Sequence, residues 1–136
     1  MLQGGCLCGA VRFAGRGKPT GVTVCHCSIC ARWSGSPAIT VEFEQGITFE
    51  GDVTWFRSSE WGERGFCPAC GSTLFFRLTE GDYINVGAGF CDKAPAVPII
   101  TLEIHVDAQP GYYAFAGGAP RLTGEEFLAR LESGKA

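Results

Sequence analysis

The sequence predicts a mainly β fold: short antiparallel sheets stapled by bound metal, with one short C-terminal helix. Three observations predict it. Glycine occurs 20 times in 136 residues, about twice its usual share, which favours short strands joined by tight turns. Apolar residues alternate with polar or small ones over short runs between those glycines. Two cysteine pairs, Cys6/Cys8 and Cys67/Cys70, lie far apart in the chain and each offers half of a metal site.

The elements follow in order. In Gly4–Phe13, Leu7, Val11 and Phe13 alternate with smaller or polar residues, as in a half-buried strand. Residues 15–21 form a loop by composition, and no Gly-x4-Gly-Lys-Ser/Thr pattern marks it as a phosphate cradle. The runs 38–43, 47–49 and 53–56 read as a meander of hairpins. Ser58–Glu63 is polar apart from Trp61 and reads as loop. Strands follow at 73–78 and 83–86 around the turn Glu80-Gly81-Asp82, then a loop at 87–92. A further strand is expected over 98–106, with Pro98 at its start. Thr123 caps the one predicted helix, Glu126 stands at the capping-box position, and Phe127, Leu128 and Leu131 share an apolar face. With no long repeat and no linker, residues 1–136 read as a single domain.

Composition excludes several functions. A net charge of -3 is not the basic surface that nucleic acid requires, so no nucleic-acid partner is expected. No segment is apolar enough to span a bilayer, and no membrane partner is expected. The N-terminus lacks a basic region leading into an apolar run, so the expected compartment is the cytosol. Eight cysteines in a reduced compartment favour metal binding over four disulfides.

The thiols fall into groups. Cys6 and Cys8, two apart in an extended segment, face the same way and need a partner pair. The knuckle Cys67-Pro68-Ala69-Cys70-Gly71 supplies it: proline stiffens the turn and glycine permits the backbone that follows. Four thiolates close a tetrahedral site, which is structural. Cys25, Cys27 and Cys30 sit at C-x-C and C-x-x-C spacing, with a turn through Ser28-Ile29 bringing Cys30 round. Three thiolates suit zinc and leave one position open, as in a catalytic site. Cys91 stands apart as a fourth ligand, a nucleophile or a small buried residue. His26 lies between two ligands and should point away from the metal as a hydrogen-bonding or acid/base group. His105 reads as a core histidine, Trp33, Trp55 and Trp61 as core or wall residues. Arg32, Arg57, Arg64 and Arg77 flank the thiol segments and are either solvated or available to clamp a carboxylate.

Three motifs, G-x-C-x-C-G at Gly4–Gly9, C-H-C-S-x-C at Cys25–Cys30 and F-C-x-x-C-G-S at Phe66–Ser72, resemble those of the glutathione-dependent formaldehyde-activating enzymes, a family that includes centromere-protein-V-like domains. The resemblance implies a β-tent fold with two zinc ions. It implies structural zinc on Cys6, Cys8, Cys67 and Cys70, and catalytic zinc on Cys25, Cys27 and Cys30. It further implies a carbon-sulfur lyase resembling S-(hydroxymethyl)glutathione synthase, with glutathione or another small thiol and a small aldehyde as partners. Two positions depart from the pattern: Ala31 stands where a basic residue is common, and Cys91 where an aliphatic one is usual. Two other functions are weighed beside it. One is a non-catalytic zinc module or glutathione carrier. The other is a methionine sulfoxide reductase, whose aromatic-Cys nucleophile Phe90-Cys91 resembles, although Gly89 and Lys93 replace the expected Arg and Asn.

Overall fold

The computed structural model describes residues 1–97 and 99–133. In chain order the strands are β1 (Leu2–Gly5), β2 (Arg12–Gly15), β3 (Pro19–Cys25), β4 (Ala38–Phe43), β5 (Ile47–Glu50), β6 (Thr54–Arg57), β7 (Gly62–Phe66), β8 (Thr73–Leu78), β9 (Ile84–Gly87), β10 (Leu102–Ile104) and β11 (Arg121–Leu122). Two α-helices, α1 (Ser28–Ser34) and α2 (Gly124–Glu132), complete the elements used below. The protein is therefore mainly β, as expected. No helix among the described residues is long and apolar enough to cross a membrane.

The chain divides into two compact units. The first comprises residues 1–20 and 40–97. In it β1, β2 and β5 form one antiparallel sheet, and β4, β9, β8, β7 and β6 pair antiparallel in that order. Its core is Val11, Phe13, Val41, Phe43, Leu74, Phe75 and Val86, joined by Cys6 and Cys67. The alternation works as expected in β4, where Val41 and Phe43 point inward. In β8 two consecutive residues, Leu74 and Phe75, are buried. A register shift against β7 at Gly65/Phe66 accounts for this, because a bulge turns an extra side chain to the same face. Phe75 then collects Phe13 edge-on at 5.9 Å, Phe49 at 5.1 Å and Trp55 at 6.1 Å.

β7 begins inside the segment expected as loop. Its polar residues are paired rather than solvated: Glu63 accepts from Arg77 at 3.1 Å, and Arg64 donates to Ser58 Oγ at 3.1 Å while covering the Phe76 ring. β3 likewise starts early, at Pro19, the first residue of a strand being a place where proline is tolerated. Leu7 is a correction: it is 89% exposed, because Cys6–Gly9 is a turn rather than strand.

The second unit comprises residues 21–39 and 98–136. Here β10 pairs parallel with β3 on one side and with β11 on the other. Parallel neighbours need a crossover connection, and residues 105–120 supply the one between β10 and β11. The strand expected over 98–106 is only Leu102–Ile104, and Pro98 lies outside the described residues. It stops because His105 takes a left-handed φ of 56° and leads into a 3-10 turn at Val106–Ala108. His105 is thus half-buried at a turn, its ring edge-on to Phe127 at 6.0 Å, and not a core histidine.

The C-terminal helix is capped as predicted. Thr123 Oγ1 accepts from the Glu126 N–H at 3.1 Å, and Glu126 Oε1 accepts from the Thr123 N–H at 2.8 Å. Its apolar face is only partly covered, with Leu128 and Leu131 exposed. The short α1 replaces the turn expected at Ser28-Ile29. A cysteine sulfur caps it, as Cys27 Sγ accepts from the Cys30 N–H at 3.3 Å, and Gly35 ends it in the left-handed region with φ 78°.

One position tests the packing of the first unit. Gly51 has φ 96°, and a Cβ there would press on the Ala10 carbonyl oxygen. Gly46 has a similar φ of 81° but faces open space. Gly51→Ala should cost on the order of 3 kcal/mol and Gly46→Ala about 1 kcal/mol. Equal losses in denaturant titrations would show that the close approach to Ala10 contributes nothing.

Candidate metal centres

Cys6, Cys8, Cys67 and Cys70 converge in the first unit, with their sulfurs all within 4.8 Å of one another. Cys6 and Cys8 sulfurs are 3.7 Å apart, and those of Cys8 and Cys67 3.8 Å. Zinc–sulfur bonds of about 2.3 Å at tetrahedral angles separate sulfurs by about 3.8 Å. The set therefore fits a tetrahedral thiolate-bound ion.

Two turns of similar design bring it about. The Gly9 N–H donates to the Cys6 carbonyl at 3.2 Å, and the Gly71 N–H to the Cys67 carbonyl at 2.7 Å. Both glycines are left-handed, at φ 82° and 80°. The Val11 N–H donates to Cys6 Sγ at 3.3 Å. Ser72 joins the turns: its Oγ accepts from the Leu7 N–H at 3.1 Å and lies 3.2 Å from Cys70 Sγ. The Ser72 hydroxyl draws the Cys70 thiol down to about 5.

In the second unit Cys25, Cys27 and Cys30 converge within the same 4.8 Å limit. Cys25 ends β3, Cys27 caps α1 and Cys30 is buried in its first turn. Hydrogen bonds from the thiols of Cys25 and Cys30 hold Cys27 far below the usual thiol range, and the Cys27 sulfur pushes Cys25 up. Three soft donors at this separation fit a thiophilic ion with one position left for another ligand.

His26 turns away from the thiols, as predicted. It is 2% exposed. Its Nε2 lies 2.7 Å from Glu103 Oε1, and its Nδ1 2.6 Å from the Tyr113 hydroxyl. A carboxylate only accepts, so Nε2 carries the proton, and in the neutral ring Nδ1 accepts from Tyr113. Burial raises the Tyr113 phenol, which keeps that hydroxyl a donor. Arg121 Nη1 also donates to Glu103 Oε1, at 2.6 Å, and Arg121 Nη2 to Gln109 Oε1 at 2.6 Å. Gln109 Nε2 donates to the Tyr113 carbonyl at 2.8 Å. The bonds close a ring through His26, Glu103, Arg121, Gln109 and Tyr113.

Sequence reasoning singled out His26 but missed the other four. Glu103 could have been found, since a charged residue between Leu102 and Ile104 in an apolar strand needs a buried partner. Tyr113 carries no such signal.

A cleft of about 300 Å³ opens beside this ring, lined among others by His26, Ser28, Arg32, Ser36, Tyr112 and Tyr113. Of the four arginines that flank the thiol segments, Arg32 alone lines it. Arg57 donates to the Ser59 and Glu60 carbonyls, Arg64 is bound to Ser58, and Arg77 is held by Glu63 and lies 3.6 Å over Trp55. Trp55 packs against the first unit's core, Trp33 is half-buried, and Trp61 is 62% exposed. Cys91 belongs to the first unit, half-buried against the core, with its backbone bridged to Gly4. Burial pushes its thiol up, the reverse of what a nucleophile needs.

A family model described as glutathione-dependent formaldehyde-activating enzyme matches residues 1–107. The chain belongs to this family. An uncharacterized lyase of Schizosaccharomyces pombe is 27% identical over 131 residues, covering 95% of this chain and 96% of that one. A Halomonas elongata protein, provisionally named a glutathione-dependent formaldehyde-activating enzyme, is 30% identical over 88 residues, 55% of each chain. The fold is shared with a Rhodobacter sphaeroides protein of known crystal structure, at a TM-score of 0.56 and 18% identity over 89% of this chain and 99% of that one. All three sequence motifs fall inside the matched region.

The buried pair gives a direct test of the ring. Glu103→Ala leaves Arg121 Nη1 and the His26 N–H without an acceptor, and should cost about 3–5 kcal/mol. Glu103→Gln keeps one acceptor and should cost less than half of that in a denaturant melt. Equal losses would mean that the oxygen kept by glutamine contributes nothing and that the ring depends on the carboxylate's charge alone.

Proposed function

We propose that the protein is a carbon-sulfur lyase of the S-(hydroxymethyl)glutathione synthase type. It joins glutathione, or a related small thiol, to formaldehyde or another small aldehyde, and catalyses the reverse cleavage. The observation that carries this reading is the group of three converging thiols with a cleft lined by the intervening His26, in a chain of this family. We place the activity in one cytosolic domain spanning residues 1–136, with zinc at both thiol groups.

The chemistry is an addition. The thiol sulfur bonds to the carbonyl carbon, the C=O π pair moves to oxygen, and the thiol proton ends on that oxygen. Nothing is oxidised or reduced. Zinc held by Cys25, Cys27 and Cys30 would supply Lewis acidity that favours the thiolate form of the incoming thiol at neutral pH. Around it the chain's own residues fix geometry. Cys25 is fixed by β3, Cys27 by its cap bond and Cys30 by α1. Both nitrogens of His26 are engaged, so His26 orients the Tyr113 wall of the cleft rather than exchanging protons with solvent. Cys6, Cys8, Cys67 and Cys70, with no open position, are assigned to structural zinc. The binding energy of such an ion is folding energy, about 10 kcal/mol or more in small domains.

Two variants test the assignment. Anaerobically purified protein should carry two zinc ions per chain. Cys27→Ser should keep one zinc and the far-ultraviolet circular dichroism of the parent, and lose at least about 100-fold in adduct formation above the spontaneous rate. Cys67→Ser should lose its fold. Full activity in Cys27→Ser would overturn the catalytic assignment. Stoichiometric thiol binding with no acceleration in the parent would make the protein a carrier instead.

A further inference from the structure

We propose that the cleft beside His26 is the carboxylate-binding part of the thiol site, and that Arg32 selects thiols carrying a carboxylate close to the sulfur. The inference rests on the lyase reading above for the identity of the thiol.

Helix geometry comes first. Ser28, Ala31, Arg32 and Gly35 follow one another at the spacing of a single helix face, and all four line the cleft. Cys27, one of the three converging thiols, caps the same helix. Arg32 therefore lies five residues, or about 7.5 Å of axial rise, beyond that thiol. An extended peptide covers about 7 Å in two residues. A short peptide whose cysteine sulfur is held at the three thiols can thus place a carboxylate one residue further on at Arg32.

Charge agrees. Among the described residues Arg32 has no hydrogen-bond or ion-pair partner, whereas Arg12 pairs with Asp92, Arg77 with Glu63 and Arg121 with Glu103. No residue lining the cleft is an aspartate or glutamate, so the guanidinium meets no carboxylate there. A planar guanidinium is suited to a two-pronged bond with a carboxylate.

The walls are made for a small polar chain. Tyr112 is 84% exposed, and its ring stands edge-on to Tyr113 at 5.4 Å. Tyr113 itself is fixed by the ring of hydrogen bonds through His26 and Gln109. Ser28 and Ser36 add hydroxyls. The cleft's volume is at the small end of the range for ligand sites, in keeping with a peptide of two or three residues.

The test uses calorimetry on the zinc-loaded protein with glutathione and with its monoethyl ester, in which the glycine carboxylate is blocked. Turnover of each is measured alongside. Arg32→Ala should weaken glutathione binding about 10- to 100-fold, and Arg32→Lys should recover part of it. Esterification should cause a similar loss in the parent, and the two losses should not add in the variant. Equal weakening of acid and ester by Arg32→Ala, or no weakening of either, would overturn the proposal. So would a parent that binds neither. A parent that binds glutathione through Arg32 but does not accelerate the addition would support the site and overturn the lyase reading. Turnover that ignores Arg32 would do the reverse.

Discussion

The second unit depends on one buried carboxylate. Glu103 is 3% exposed in the middle strand of β3, β10 and β11. Removing an ion from water costs several kcal/mol unless its partners are well placed. Here its two direct partners come from distant parts of the chain. The His26 ring meets Glu103 from the end of β3, Arg121 meets it from β11, and Gln109 and Tyr113 close the circuit from the crossover. A carboxylate that must be satisfied in this way fixes His26, and His26 is flanked by Cys25 and Cys27. The direction in which those thiols point is set by what their neighbour between them is bound to. This is how an interaction that touches no sulfur holds a thiol group in register.

The two thiol groups differ in what completes them. In the first unit four sulfurs stand at the separation of a tetrahedral ion, backbone N–H groups and Ser72 hold them, and two are nearly inaccessible. Such a set has nothing left to offer a substrate. In the second unit three sulfurs gather at the start of a seven-residue helix that also lines a cleft. The count of thiols, three against four, separates a group that can take a further ligand from one that cannot.

Much of this was legible in the sequence, and what was not has a physical reason. Thiol partition follows from spacing, because C-x-C and C-x-x-C limit which sulfurs can share an ion, and the structure gathers the same two sets. The strands expected at 38–43 and 73–78 are found at those residues. Segments misread are those where local signals conflict with tertiary pairing. Ser58–Glu63 looks like loop because it is polar apart from Trp61, and its end joins β7 because Glu63 and the following Arg64 find partners in Arg77 and Ser58. Leu7 looks buried and is exposed, since the turn that brings Cys6 and Cys8 together leaves the residue between them outside. The helix α1 was invisible because its cap is a cysteine sulfur, outside the usual capping residues. Glu103, Arg121, Gln109 and Tyr113 are spread over nineteen positions with no shared periodicity, and only the parallel pairing of β10 with β11 brings them into one ring.

That parallel pairing also explains where the cleft can vary. Antiparallel strands can be joined by two residues, but parallel ones need a long return path. The path from β10 to β11 runs over residues 105–120 and supplies Ala108, Pro110, Tyr112 and Tyr113 to the cleft. The opposite wall, α1, is constrained by Cys27 and Cys30 and has little freedom to change. The return path is tied down at Asp107, Gln109, Tyr113 and Pro120, and Tyr112 is left in solvent. Such an arrangement fixes the wall next to the three thiols and leaves the other wall open to change. Under the proposed lyase reading, specificity for the thiol would reside in the pairing of this helix, carrying Arg32, with a crossover whose length the sheet topology requires but whose side chains it leaves open.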